Sequence, residues 1–496
     1  MHNKTFLLEL NELSIESLSG TLLHDVSFNI EAGKCLALVG ESGSGKSIIA
    51  LAIMDLLPKS LKIKNPEKMD EIRPLSKAMI FQEPMSALNP TMIIGDQIAE
   101  AAISVLKKSK RQAREDARDW IEKVKIEEPN ASFFKYPHQL SGGQRQRVMI
   151  AMAMIMKPQL IIADEPTTAL DDKVALEILK LLRDLQRENS MSMIFISHDI
   201  KAVSQISDHI LVLHRGREIE YGESNKVLNF PEDPYTKGLL AARPPEVGKP
   251  RRLPTVSDFI NNTLPKLEDP RPSRLGSIIL EVKNLSKHFS NKSILSNVSL
   301  ELREGETLGL IGASGSGKST LAKCIIGLQS IQGGEIKYRG ERIDNMTLLG
   351  RKKLAKEIQY IFQDPFSSLS PRMTIGEALL EPMEVHGLYQ GRDVRNKKVE
   401  ELLHSVGLDS SVLKKFPHEF SGGQRQRIGI ARALVLQPKI LICDESVSAL
   451  DLSVQAQVLN LLNELKEQFS FSYIFISHDE RVVNYMSDSV VELTTI

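Results

Sequence analysis

The sequence predicts two tandem α/β domains, each built on a mainly parallel sheet with a phosphate-binding loop at one end. Three observations carry that prediction. One set of short motifs occurs twice, in the same order. The first copy reads Gly40-Glu-Ser-Gly-Ser-Gly-Lys46-Ser47, Phe81-Gln82, Leu140-Ser-Gly-Gly-Gln144, Asp164-Glu165 and His198; the second reads Gly312-Ala-Ser-Gly-Ser-Gly-Lys318-Ser319, Phe362-Gln363, Phe420-Ser-Gly-Gly-Gln424, Asp444-Glu445 and His478. The offset between copies is 272 residues at the glycine-rich loop, 281 at the glutamine and 280 at every later motif. Each glycine-rich loop lies between an apolar run, Cys35–Val39 or Thr307–Ile311, and a helical pattern starting at Lys46 or Lys318. Strand, tight turn and helix in that order make such a loop a phosphate cradle. Finally, the apolar runs at 160–163, 193–196, 440–443 and 473–476 are too short for helices and barely alternate, as strands covered on both faces do. Acidic or histidine residues follow each run, at the strand end where open α/β sheets bind ligands.

The repeat divides the 496 residues into a first domain at 1–242, a proline-rich linker at 243–277 and a second domain at 278–496. Each domain is long enough to bury a core. The linker holds Pro244, Pro245, Pro250, Pro254, Pro265, Pro270 and Pro272 and reads as an extended, semi-rigid connector. Each copy opens on a strand region, at 6–13 or 278–285. A charged helical stretch at 107–125 reads as a solvated face with Trp120 turned inward. Met149, Met152, Met154 and Met156 fit a buried helix face. Past His198 the first copy continues into a hairpin pattern at 210–223, whereas the second reaches Ile496 where its counterpart would begin. Lys plus Arg and Asp plus Glu are 63 each, so no net field draws the chain toward nucleic acid. Cys35, Cys324 and Cys443 are far apart, form no CxxC pair and read as small core residues of a reduced protein. The N-terminal residues lack the uninterrupted apolar stretch of a signal peptide. No window reaches the ~18 apolar residues of a membrane span.

The chemistry follows from residue types. In the loops, Gly40, Ser42, Gly43, Ser44 and Gly45, and likewise Gly312, Ser314, Gly315, Ser316 and Gly317, let backbone N–H groups turn around phosphate oxygens, while the next helix aims its positive end at them. Lys46 and Lys318 reach the terminal phosphates, and the Ser47 and Ser319 hydroxyls suit Mg²⁺. Asp164 and Asp444 end apolar strands, where a carboxylate holds Mg²⁺ directly or through water. Glu165 and Glu445 are placed to polarise an attacking water. His198 and His478 are placed to donate to a γ-phosphate. Gln82 and Gln363 either orient water or complete the metal shell. Ser141, Gly142, Gly143 and Gln144, and Ser421, Gly422, Gly423 and Gln424, form a second anion cradle at a helix start. One nucleotide does not need two cradles from one domain. Two domains facing head to tail use both, each glycine-rich loop opposite the Ser-Gly-Gly turn of the other copy, with two ATP molecules enclosed. Tethering the copies raises their effective concentration for each other.

Together these motifs resemble the ABC-type ATPases: Walker A, Q-loop, signature, Walker B, D-loop (here 169–171 and 449–451) and switch histidine are matched over nearly the whole chain apart from the linker. The Q-loop flanks, Phe81-Gln-Glu-Pro-Met-Ser-Ala-Leu-Asn-Pro90 and Phe362-Gln-Asp-Pro-Phe-Ser-Ser-Leu-Ser-Pro-Arg-Met373, are similar to the paired ATPases of the peptide/nickel importers. So are Tyr136-Pro-His-Gln, Phe416-Pro-His-Glu and Asp233-Pro-Tyr-Thr-Lys-Gly-Leu-Leu-Ala-Ala-Arg243. The order looks like a D-type subunit fused to an F-type one. The resemblance implies a helical subdomain and a small antiparallel β region beside each parallel core. It implies ATP and Mg²⁺ as ligands, and ATP hydrolysis at the cytoplasmic face of the plasma membrane. The implied partners are two integral-membrane permeases, through which alone the chain meets the membrane, and an extracytoplasmic solute-binding protein. The cargo would be peptides, or nickel or another metal complex, and one chain would supply both halves of the ATPase dimer.

Four departures qualify the match. The aromatic that stacks on adenine in this family falls at Phe289, but the same register gives Ser17 in the first copy, so the first site is expected to bind ATP less tightly. The first copy is nine residues shorter between glycine-rich loop and glutamine, reducing the strand pair seen at 333–343. Ser446 replaces the usual proline after Glu445, and the linker lacks the cysteines of an iron–sulfur motif. The alternatives are a soluble ABC ATPase acting on ribosomes, whose halves are joined by a long charged linker, and the ATPase of an importer for another substrate class, such as sugars. A DNA-repair ATPase would need a coiled coil or zinc cysteines, and the Q-loop flanks disfavour an exporter.

Overall fold

The computed structural model describes residues 6–494 apart from 71, 169, 247, 266–274, 290–291, 314, 363–368 and 449. Gln363, Ser314 and the first D-loop residues at 169 and 449 therefore lie outside the described residues. The chain forms two compact units, Met1–Leu240 with Phe259–Asn262, and Ala241–Asp258 with Thr263–Ile496.

The first unit carries one nine-stranded sheet. Its strands are β1 (Phe6–Ser17), β2 (Gly20–Glu31), β3 (Cys35–Val39), β4 (Leu61–Ile63), β5 (Lys77–Ile80), β6 (Leu160–Asp164), β7 (Ser192–Ile196), β8 (His209–His214) and β9 (Arg217–Glu223), in the spatial order β4-β1-β2-β9-β8-β3-β7-β6-β5. The five strands β8, β3, β7, β6 and β5 pair in parallel. Every residue of β3, β6 and β7 is buried, which is why their sequences show no alternation. The β1–β2 ribbon and the β8–β9 hairpin are antiparallel. The opening strand runs on past residue 13 because Ile15 pairs with Leu23 and both are fully buried. Irregular register after Leu10, with Glu12 in the left-handed region, masks that continuity in the sequence.

In the second unit the two kinds of sheet separate. Strands β10 (Ile278–Phe289), β11 (Lys292–Arg303), β13 (Gly333–Tyr338) and β14 (Glu341–Arg342) form an antiparallel sheet in the order β11-β10-β13-β14. Strands β12 (Thr307–Ile311), β15 (Ile358–Ile361), β16 (Ile440–Asp444), β17 (Ser472–Ile476) and β18 (Ser489–Glu492) form a parallel sheet in the order β15-β16-β17-β12-β18. Where the second unit has β13 and β14, the described residues of the first have only the three-residue β4 against β1, in keeping with its shorter sequence. In each unit the helix after the glycine-rich loop fills the space between ribbon and parallel sheet: Ile49 and Ile53 pack with Leu36, Ile162 and Ile194, and Leu321 and Ile325 with Leu308, Ile442 and Ile474.

Trp120 is buried on the helix Lys110–Lys123, Met149 and Met154 are buried, and Met152 and Met156 are half-buried. All three cysteines are buried. No described helix is long and apolar enough to cross a membrane.

Residues Ala241–Asp258 pack as part of the second unit. Ala242 and Leu253 join a core that includes Leu459, Leu462 and Val483. Asn460, on the helix Leu452–Phe469, treats Leu253 as a neighbouring strand would: its Oδ1 accepts from Leu253 N at 2.8 Å and its Nδ2 donates to Leu253 O at 2.9 Å. Arg243 lies 3.9 Å from Asp479, Glu246 accepts from Arg481, and Lys249 Nζ donates to Ser487 O at 2.5 Å. These three ties fasten the segment around the helix Glu480–Met486. Proline content gives no hint of them.

Candidate functional site

Strand β3 delivers the first glycine-rich loop and the helix Lys46–Ile53 receives it. Gly40 has φ 153°, and a Cβ there would stand 2.1 Å from Leu213 O; Gly45 has φ 107°, and a Cβ would stand 2.4 Å from Leu23 Cδ2. Both positions need glycine for close approach as well as for backbone angle. Lys46 folds across the loop, its Nζ donating to Gly40 O and Glu41 O, both at 2.8 Å, and to Ser44 Oγ at 3.3 Å. Lys318 does the same to Gly312 O at 2.7 Å and Ala313 O at 3.0 Å. Burial depresses the Lys318 pKa, opposed by Glu445 and Asp444.

The loop of the first unit has an extra brace. Glu41 N donates to Tyr235 Oη at 3.2 Å, and the Tyr235 ring lies 4.1 Å, centroid to centroid, from that of His214.

Asp164 and Asp444 end β6 and β16 with only 7% and 4% exposure. The next residues, Glu165 and Glu445, each have φ 47° and donate their N–H to Ile196 O and Ile476 O, both at 2.9 Å. Left-handed backbone at a bulky residue is costly, and it occurs identically in both copies. It turns Glu165 toward three partners. Glu165 Oε2 accepts from Gln82 Nε2 at 2.8 Å and from Thr168 Oγ1 at 3.0 Å, and Oε1 lies 3.2 Å from His198 Nδ1. Burial raises the Glu165 pKa, but His198, Thr168 and Lys46 outweigh it and hold the carboxyl below the usual range. Burial alone would lower His198; Glu165 and Asp199 reverse the sign and hold it above the ordinary imidazole value. Burial also raises Asp164, opposed by a hydrogen bond from Ser47.

The second unit repeats the plan with differences. His478 Nδ1 lies 3.8 Å from Glu445 Oε2, and its proximity holds the Glu445 pKa low against burial. Ser448 sends its hydroxyl to Glu445 O at 2.9 Å, where Thr168 in the first unit meets the carboxylate. Ser319 Oγ donates to Asp444 Oδ1 at 3.0 Å, and Tyr360 donates to Oδ2. Sequence reasoning missed Thr168 and Tyr360. The only signal for Tyr360 was a phenol in the otherwise apolar end of the run before Phe362.

The Ser-Gly-Gly turns cap helices. Ser141 Oγ accepts from Gln144 N at 3.3 Å while Gln144 Oε1 accepts from Ser141 N at 3.0 Å, at the head of the helix Gly142–Met154. Ser421 and Gln424 repeat the box at 3.4 and 3.1 Å before the helix Gly422–Leu434. A Cβ on Gly143 would stand 2.5 Å from Val174 Cγ1, and one on Gly423 would stand 2.4 Å from Val454 Cγ1. These second glycines therefore let the signature helix approach the helix that follows each D-loop. Phe289 is exposed at the tip of the second ribbon, with Lys287 Nζ 5.0 Å from its ring centroid. At the equivalent tip Ser17 donates to Gly20 O at 3.0 Å.

Loop lysine, strand-end Asp-Glu, histidine and serine-capped helix thus recur as one set in each unit. The ABC transporter family profile matches residues 23–168 and 295–448, once per unit. The chain belongs to that family. As an ABC-type ATPase it binds and hydrolyses ATP. It is similar to the glutathione import ATP-binding protein GsiA of Escherichia coli (strain K12), at 43% identity covering 97% of this chain and 84% of that protein. The protein of that name from Shigella dysenteriae serotype 1 (strain Sd197) matches with the same identity and coverage. Among solved structures, one described as RNase-L Inhibitor aligns with 97% of this ABC ATPase and 87% of its own chain at TM-score 0.63 and 17% identity, a likeness of fold alone.

Proposed function

We propose that this ABC ATPase energises import of a peptide-sized solute, docking from the cytoplasmic side on two membrane permeases served by an extracytoplasmic binding protein. The observation that carries this reading is the 43% identity, over 97% of the chain, to a protein named for glutathione import. The Q-loop flanks and the 233–243 segment point to the same peptide/nickel branch. A glutathione-like peptide is favoured over nickel because the relative's name specifies a tripeptide thiol and no metal.

In the mechanism we propose, each glycine-rich loop wraps a triphosphate, and Lys46 and Lys318 exchange their loop carbonyls for phosphate oxygens. Ser47, Asp164 and Gln82, and Ser319, Asp444 and Gln363, would hold Mg²⁺. The hydroxyl–carboxylate pairing of Ser319 with Asp444 at 3.0 Å supports this, since hard oxygen donors beside a phosphate site suit that ion. When bound, Mg²⁺ neutralises charge on the phosphates. Glu165, kept ionised by His198 and oriented by Gln82 and Thr168, polarises the attacking water; Glu445 has the same role in the second site. His198 and His478 donate to the γ-phosphate. Ser141 to Gln144 and Ser421 to Gln424 close on the ATP held by the other copy, so that one chain supplies both halves of the clasp.

Uptake assays in the native host test the reading. Lys46→Ala with Lys318→Ala should abolish uptake of labelled glutathione or dipeptide while sparing nickel uptake, and the tagged chain should sediment with membranes. Sedimentation with ribosomes, with peptide uptake intact in the double variant, would reject it.

A further inference from the structure

Strand β15 places Tyr360 in register with Ile442, two residues before Asp444. The Tyr360 hydroxyl donates to Asp444 Oδ2, while the Ser319 hydroxyl donates to Oδ1 at 3.0 Å. Both oxygens of a buried carboxylate therefore carry a donor. The phenol ring is itself held by Phe362, their centroids 4.6 Å apart. In the first unit the matching position, opposite Ile162, is Met79, whose thioether has no proton to give. Asp164 there draws its side-chain hydrogen bond from Ser47.

We propose that Tyr360 is a positioning residue that fixes the Asp444 carboxylate for the divalent cation, so that the two ATP sites of one chain differ in cation affinity, the second being tighter. This rests on the reading of Asp164 and Asp444 as cation-holding carboxylates. A carboxylate with one donor can turn about its Cβ–Cγ bond, and a second donor on the other oxygen fixes that torsion before the cation arrives. The ordering cost is then met on folding rather than on binding. The effect matters most when the Ser319 hydroxyl leaves Asp444 to ligate the cation. At that point Tyr360 still grips Oδ2, with a charge-assisted bond of the stronger kind. Met79 offers Asp164 no such restraint.

Mn²⁺ is the probe, titrated by electron paramagnetic resonance into the full chain saturated with the non-hydrolysable analogue AMP-PNP. The expected result is two classes of Mn²⁺ site. Tyr360→Met, which installs the residue of the first copy, should weaken the tighter class about tenfold and bring the two together. AMP-PNP binding in EDTA should not change, which a general loss of structure would not allow. Met79→Tyr should tighten the weaker class. A single class in the parent protein, or unchanged Mn²⁺ affinity in Tyr360→Met, overturns the proposal. Should Tyr360→Met lose AMP-PNP binding in EDTA, the Met79→Tyr arm decides, and failure to tighten there is equally fatal. Asp444→Asn separates the layers. If it leaves both classes intact, the cation role of Asp444 is wrong; if it removes one class while Tyr360→Met does nothing, only the role of Tyr360 is wrong.

Discussion

The amide of Gln82 donates to the Glu165 carboxylate at 2.8 Å, joining the residue that leaves β5 to the residue that leaves β6. The oxygen that accepts it, Oε2, also accepts from Thr168, and the other oxygen faces His198. The carboxylate assigned to water activation is thus oriented by three side chains from three different segments.

That arrangement fixes the sign of a pKa change. His198 lies above the ordinary imidazole value of ~6.5 because Glu165 and Asp199 outweigh the effect of its burial. Glu165→Gln removes the nearer charge and leaves the burial. The His198 pKa should then fall, and its protonated form should disappear at lower pH than in the parent protein. Imidazole Cε1–H chemical shifts followed against pH check this; a His198 titration that does not move would mean Glu165 does not set it.

Gly143 faces Val174 too closely for any side chain. Gly143→Ala should destabilise the first unit by about 1–3 kcal/mol through overpacking, and Val174→Ala in the same chain should recover much of the loss. Trp120 is the only tryptophan of the chain and is buried in the first unit, so its fluorescence in a urea titration reports that unit selectively.

The Asn460 side chain bonds both backbone groups of Leu253. Asn460→Ala leaves that buried N–H and C=O without their partner, at a cost of about 2–4 kcal/mol. The segment should loosen, and trypsin should cut faster after Arg251 and Arg252. Unchanged cleavage rates at those two bonds would show that the segment is held by its flanking ion pairs instead.

The parallel strands, both glycine-rich loops and the Asp-Glu strand ends could be read from the sequence because each depends on local pattern. Runs such as 160–163 are apolar throughout since both faces are covered, and the positive φ of Gly40 and Gly45 belongs to the tight turn itself, although their close approach to Leu213 and Leu23 is long-range. What escaped reading depends on distant pairing. Tyr360 acquires meaning only because β15 lies beside β16. Leu253 looks like one apolar residue among prolines until Asn460, more than two hundred positions later, bonds it. The cap formed by Ser141 and Gln144 is local as well, since Ser-x-x-Gln before a helix is a capping-box pattern.

We propose that the chain holds two ATP sites whose hydrolysis depends on Glu165 and Glu445. The most direct test is steady-state ATPase activity and bound nucleotide per chain in the double variant Glu165→Gln with Glu445→Gln. Turnover should fall by about two orders of magnitude or more while two ATP molecules stay bound per chain. Parent-level turnover in that variant would contradict it.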